Sequence, residues 1–141
     1  MHGLEAVPEE TELVAVHDGA RPLVSPEVIT KVILKAAKFG AAAPAIPVKD
    51  TIKVSKSGGV DETPDRKTLF VVQTPQVFDA ALLREAYRQP FSAAFTDDAS
   101  VVEAAGHAVT LCEGERENIK ITTPSDLDMA EAILNARDDE A

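Results

Sequence analysis

Tryptophan is absent from this 141-residue sequence, and aromatic residues make up only 4% of it. Any core must therefore be assembled from Val, Ile, Leu and Ala, the usual composition of a sheet covered on both faces. The single cysteine, Cys112, excludes an internal disulfide and fits a reducing cytoplasm. It lies in an apolar run and reads as a packed thiol rather than a nucleophile. Three scattered histidines and one cysteine have no zinc spacing. Positive charge is also scarce: 14 Lys and Arg against 24 Asp and Glu leave a formal net charge of -10, which argues against a general nucleic-acid binder. No apolar run approaches the roughly 20 residues that span a bilayer, and no signal-peptide core opens the chain. The expectation is a cytoplasmic protein with neither membrane nor nucleic acid as partner.

What is present suits one α/β domain over residues 1–141, because 45% hydrophobic content is enough for a core. Leu13 to Val16 is a continuous apolar run of the kind that forms a buried strand. Ser25-Pro26-Glu27 supplies an N-cap, a proline at the first helical position and an acid in the first turn. Val28, Ile29, Val32, Ile33 and Ala36 then recur at helical spacing until Gly40. Ala41 to Val48 suits a second strand, Leu69 to Val72 a buried third, and Ala108 to Cys112 a fourth. The spacing predicts helices over Phe78 to Tyr87, from a Thr96 cap to Gly106, and from Thr123-Pro124 onward, the last burying Leu127, Ala130, Ile133 and Leu134. Asn118 to Thr122 reads as a short alternating strand. Strands alternating with helices imply a mostly parallel sheet. Residues 49–68 differ in texture, with an alternating Thr51 to Ser55, a Gly58-Gly59 turn and a polar return, and read as a projecting β-arm. A lone hairpin is marginal in water, so a second subunit is its expected support.

In such a sheet the polar residues at strand ends collect on one rim, where ligands bind. His17, Asp18 and Arg21, then Lys49, Asp50 and Thr51, then Gln73 and Thr74, then Thr96 and Asp97, and finally Lys120 and Thr122 are the candidates. Cations and hydroxyls dominate, which suits an anionic, hydroxylated ligand such as a sugar phosphate, with Asp18, and Asp97 after it, able to hold a hydroxyl or a divalent ion. The alternative for Asp18 and Arg21 is an Asp-Gly turn with a local salt bridge. His17 reads more readily as a structural strand-end histidine than as a catalytic one, and Lys120 reads equally well as a solvated charge.

Five ordered motifs go further: His17-Asp-Gly-Ala-Arg-Pro22, Lys49-Asp-Thr-Ile-Lys53, Gln73-Thr-Pro-Gln76, Thr96-Asp-Asp-Ala-Ser100 and Asn118-Ile-Lys-Ile-Thr-Thr-Pro-Ser-Asp-Leu127. Together they resemble the 2-C-methyl-D-erythritol 4-phosphate cytidylyltransferases of the non-mevalonate isoprenoid pathway, from Gly3 to Leu134. The resemblance implies a Rossmann-like nucleotidyltransferase fold. It also implies cytidylyl transfer from CTP to methylerythritol phosphate, giving CDP-methylerythritol and pyrophosphate with Mg2+ on the nucleotide. Carried over by position, Asp18 contacts the nucleotide and metal region, Arg21, Thr74 and Thr96 line the sugar-phosphate site, and Lys120 faces the reacting α-phosphate. Thr51 and Arg66 lie on the arm, residues 49–68, which in this family clasps the partner subunit of a homodimer. Family members open with a strand and a Gly-rich, basic loop that cradles the CTP phosphates. No such loop occurs among these residues, so the chain resembles the C-terminal portion of such an enzyme and is expected to have little activity alone. The alternatives are a ribitol 5-phosphate cytidylyltransferase fragment and a non-catalytic, dimerising sugar-phosphate-binding module.

Overall fold

The helix expected after Ser25 forms as α2, Pro26–Phe39, in the computed structural model, which describes residues 2–141. Ser25 Oγ accepts the Val28 N–H at 3.2 Å, Pro26 occupies the first turn, and Gly40 closes the helix at φ 92°, its N–H reaching Ala36 O at 2.7 Å. That left-handed conformation costs a glycine little and any side chain more. Val28, Val32 and Ala36, spaced four apart, are the buried stripe. Burying each valine contributes about 1.5–3 kcal/mol.

The remaining elements are α1 (His2–Glu5), β1 (Leu13–Val16), β2 (Ala41–Pro47), β3 (Phe70–Val72), β4 (Gln76–Asp79), α3 (Ala80–Ala86), α4 (Asp98–Ala104), β5 (Thr110–Glu113) and α5 (Pro124–Glu140). β2 is the hub of the sheet. It pairs antiparallel with β4 through Ala41 and Ala42, antiparallel with β3 through Ala45 to Pro47, and parallel with β5 through Ala42 to Ala45. Because β5 shares partners with both β3 and β4, those two must lie end to end along the opposite edge of β2. β1 pairs antiparallel with β4, from Leu13↔Asp79 to Val16↔Gln76. Successive residues point to opposite faces, and the two cores follow that alternation. Ala41 and Phe78 face α3 and α4, whereas Ala42 and Val77 face α2 and Cys112.

Several expectations need correction. The sheet is mixed rather than mostly parallel: only the β2–β5 pairing is parallel, because an antiparallel strand, β4, lies between β1 and β2. That strand escapes a periodicity reading because its four residues, Gln76–Asp79, run directly into α3. Asp79 is the boundary, its carboxylate accepting the Leu82 N–H at 2.9 Å. β3 is not buried: Phe70, Val71 and Val72 are 48%, 47% and 37% exposed. The cap of α4 is Asp97, not Thr96, and residues 118–122 form no strand. Of the expected stripe on α5 only Ala130 is buried. Residues 49–68 turn back on themselves but ladder through one bridge, Val54↔Glu62, followed by a 3-10 turn at Arg66–Thr68. Among the described residues no helix is long and apolar enough to cross a membrane.

Candidate functional site

Register brings the candidate residues together. Pairing Val16 with Gln76 sets the end of β1 beside the start of β4, so Asp18 and Thr74 meet just past the ladder. The Asp18 N–H donates to Thr74 Oγ1 at 3.0 Å, and the Arg21 N–H donates to Asp18 O at 3.0 Å, closing a turn. Capping of α4 by Asp97 brings Thr96 and Asp97 to the same rim. Asp97 Oδ1 accepts the Ser100 N–H at 2.7 Å, while the buried Gln76 donates Nε2 to Asp97 Oδ2 at 2.9 Å and accepts the Ala99 N–H at 3.0 Å. The result is a cleft of about 350 Å³ whose walls include Asp18, Arg21, Thr74, Gln76, Thr96 and Lys120.

Lys120 reaches this cleft on a loop held from below. The Ile121 N–H donates to Ala20 O at 2.8 Å, and Arg21 Nη1 donates to Asn118 O at 2.7 Å. The side chain of Asn118, fully buried, donates Nδ2 to Thr74 O at 2.9 Å. Buried Gln73 braces the same loop, donating to Glu115 O at 2.8 Å and accepting the Glu115 N–H at 3.3 Å. Burying the Gln73 amide is tolerable because both of its polar atoms find partners, and Asn118 is held through Nδ2 alone, its buried Oδ1 having no hydrogen-bond partner.

Electrostatically, Asp18 is the pivot. Its Oδ2 lies 3.4 Å from Arg21 Nε and 3.4 Å from Lys120 Nζ, with Lys120 half exposed and Arg21 12% exposed. Long, partly solvated pairs of this kind contribute about 0–1 kcal/mol, so an incoming anion can draw Lys120 away from Asp18 at small cost. Next to the cleft, the Tyr87 hydroxyl donates to Asp98, and burial together with that carboxylate pushes the phenol well above the usual tyrosine range. Burial also raises the Cys112 thiol, in keeping with a packed side chain. A larger cavity of about 620 Å³, lined by Leu4, Val7, Arg84, Tyr87 and Phe91 among others, has none of the convergent rim residues.

Of the sequence candidates, the cleft gathers Asp18, Arg21, Thr74, Thr96, Asp97 and Lys120. Lys49, Asp50 and Thr51 lie elsewhere, because β2 runs on past Pro44, whose carbonyl accepts the Gln73 N–H at 2.8 Å at the level of the rim. Arg66 stays with the arm, donating Nη1 to Lys49 O at 2.6 Å. Thr122 serves the start of α5 instead, its N–H donating to Asp126 Oδ2 at 2.9 Å. The turn with its local salt bridge forms, and the same two residues line the cleft. Gln76 and the burial of Asn118 were missed, although a glutamine beside an apolar strand run is itself a signal of a buried amide.

The sequence pattern of one family, IspD: 2-C-methyl-D-erythritol 4-phosphate cytidylyltransferase, matches residues 1–136. The chain is 52% identical over 141 residues to the 2-C-methyl-D-erythritol 4-phosphate cytidylyltransferase of Alkaliphilus metalliredigens, covering 98% of this chain and 58% of that protein. It is 50% identical to the enzyme of the same name from Desulforamulus reducens, covering 96% and 59%. Among solved structures, the 4-diphosphocytidyl-2C-methyl-D-erythritol synthase of Anaerococcus prevotii superposes with a TM-score of 0.85 at 38% identity, over 95% of this chain and 61% of that one. The Thermus thermophilus cytidylyltransferase gives 0.80 at 43% identity, over 92% and 64%. The chain therefore spans about three-fifths of the length of the curated relatives it matches. These matches do not favour the ribitol phosphate or the non-catalytic reading.

Proposed function

Because this chain belongs to the 2-C-methyl-D-erythritol 4-phosphate cytidylyltransferase family, we propose that its rim cleft is the sugar-phosphate side of an active site. The reaction would join CTP to methylerythritol phosphate with release of pyrophosphate. The observation that carries this reading is the convergence of Asp18, Arg21, Thr74, Thr96 and Lys120 on one cleft.

Cytidylyl transfer asks a protein mainly to hold the attacking phosphate in line and to balance negative charge around phosphorus. Lys120 is the group for the second task. Half exposed and loosely paired with Asp18, it can swing its ammonium to the α-phosphate as charge accumulates there. Asp18, left with Arg21, then turns its carboxylate to a sugar hydroxyl or to the nucleotide's cation. Thr74 and Thr96 supply hydroxyls, and Arg21 keeps the Lys120 loop in place through Asn118 O.

Mg2+ suits this donor set only as an ion brought in by CTP. Among the described residues no three His, Cys, Asp or Glu side chains cluster as a metal site, and Mg2+ commonly takes one or two carboxylates plus substrate phosphates. Asp18 is the carboxylate proposed for it. When bound, the ion would neutralise triphosphate charge. The arm, residues 49–68, is proposed to form a homodimer contact and to deliver Thr51 and Arg66 to the partner's cleft. With Arg21 and Lys120 both facing Asp18, the cleft has few cations for a triphosphate, so the 141 residues alone should turn over slowly.

Separate calorimetric titrations of CTP and methylerythritol phosphate into the chain test this. Binding of methylerythritol phosphate, weakened by Lys120→Ala, is expected. A chain that binds neither ligand sinks the proposal, and pyrophosphate release at the rate of a full-length relative sinks the claim of slow turnover.

A further inference from the structure

His17 is exposed and lies outside both cores, yet its ring makes two hydrogen bonds whose directions are chemically forced. Its Nε2 lies 2.9 Å from Arg21 O. A backbone carbonyl can only accept, so Nε2 carries a proton. In the uncharged ring Nδ1 is then bare and can only accept. Its neighbour at 3.0 Å is Thr74 Oγ1, so the Thr74 hydroxyl must spend its single proton on His17. One lone pair of the same oxygen is taken by the Asp18 N–H at 3.0 Å. What Thr74 has left to offer the cleft, which it lines, is a lone pair.

We propose that His17 is a specificity-determining positioning residue that makes Thr74 a hydrogen-bond acceptor, so that the ligand atom opposite Thr74 is a sugar hydroxyl rather than a phosphate oxygen. This rests on the sugar-phosphate reading of the cleft and deepens it. Threonine alone would accept or donate freely, and an anion would take the donor. The carbonyl of Arg21, read through the imidazole, removes that choice. The two ends of a polyol phosphate are thereby distinguished: its anionic end belongs near Lys120 and its hydroxyls near Thr74.

The ring's state can be read without any ligand. Nitrogen NMR of the uncharged ring should show His17 protonated at Nε2 and bare at Nδ1, with Nδ1 shifting in Thr74→Val. A ring protonated at Nδ1 overturns the inference whatever the cleft binds. For selectivity, His17→Phe keeps the ring's shape and releases the Thr74 proton. Thr74 can then still accept but is no longer obliged to, so methylerythritol phosphate should weaken by less than the about tenfold worth of one hydrogen bond, while binding of inorganic phosphate rises. His17→Asn, which restores an acceptor near the Nδ1 position, should recover most of that loss. Equal losses for both probes, or none for either, refute the selectivity role. Failure of the wild-type chain to bind methylerythritol phosphate would instead sink the underlying functional reading, leaving the tautomer measurement to decide this one.

Discussion

Gly114→Ala should be costly for a reason visible at one atom. A Cβ built on Gly114 would sit 2.5 Å from Gln73 Oε1, 3.3 Å from its Cδ and 3.2 Å from Ala45 N. Its backbone φ is not in the left-handed region, so conformation is not the obstacle, and removing a glycine should by itself stabilise by about 0.4–1 kcal/mol. The obstacle is that Gln73 is buried and engaged, donating to Glu115 O and accepting from Glu115 N and Asn118 Nδ2. Accommodating the methyl means shifting that amide and giving up one or two of these contacts, worth about 1 kcal/mol each, in a site where overpacking itself costs about 1–3 kcal/mol. The net expectation for Gly114→Ala is a loss of about 2–3 kcal/mol, by the same magnitudes for overpacking and lost hydrogen bonds. Gln73→Ala removes the obstructing atoms, so in that background the same substitution should cost less than about 1 kcal/mol, a coupling within the range expected of contacting residues. Urea unfolding of the wild type, both single variants and the double variant measures the cycle. Additive losses would show that the clash is not with Gln73 and would refute this account of the loop that carries Lys120.

The other predictions concern titration and the arm. Tyr87 is the only tyrosine and there is no tryptophan, so absorbance of tyrosinate reports one site. Because its folded pKa is raised, the fold favours the protonated phenol, and that stability is complete below the ordinary value of 10.0 and lost as pH rises past it. No tyrosinate step should appear near pH 10.0 while the fold persists, and Asp98→Asn should bring the step down. Asp126 shifts the other way: the N–H groups of Thr122 and Thr123 hold its carboxylate at about 2. The stability it contributes is present above 3.8 and fades as pH falls from there toward 2, so Asp126→Asn should flatten the acid limb of helicity; an unchanged limb counts against the cap. Shortening residues 49–68 to a tight turn should give a monomer by sedimentation where the parent chain is a dimer. A parent monomer, or a dimer that survives, removes the arm's proposed role. Arg66→Ala should leave stability within about 0.5 kcal/mol, as for an exposed residue, while weakening methylerythritol phosphate binding.

Legibility in the sequence followed element length. α2 was readable end to end because fourteen residues display a stripe, a cap and a glycine stop together. β4 was not, since four residues cannot show a period and its Gln76 looks like loop. The buried side of α5 was overestimated because its apolar residues, Leu127 and Leu134 among them, are 59% and 48% exposed, and composition alone does not say whether a neighbour covers a helix. Asp18, Arg21, Thr74, Thr96 and Lys120 were found as a set, but the amides that support them were not, because hydrogen-bond partners such as Asn118 and Thr74 are 44 residues apart in sequence.

The rim was predicted from a parallel sheet that does not exist, and it survives for a reason that generalises. In a parallel sheet the carboxyl ends of the strands share one edge. Here β4 runs against β1, yet the Val16↔Gln76 register puts its amino end at that same edge. An antiparallel strand offers the residues before it where a parallel strand offers the residues after it. Gln73, Thr74 and Pro75 sit between two strands that share one edge of β2, and Pro75, without an N–H, cannot continue the ladder. The break therefore opens at the level of Asp18, which takes Thr74 Oγ1 as partner for its own N–H. Lys49 to Thr51 show the converse: they follow a strand in the expected direction but lie beyond the level of the rim, because β2 continues past Pro44 before it ends. Strand-end position thus selects candidates, while register decides which of them meet.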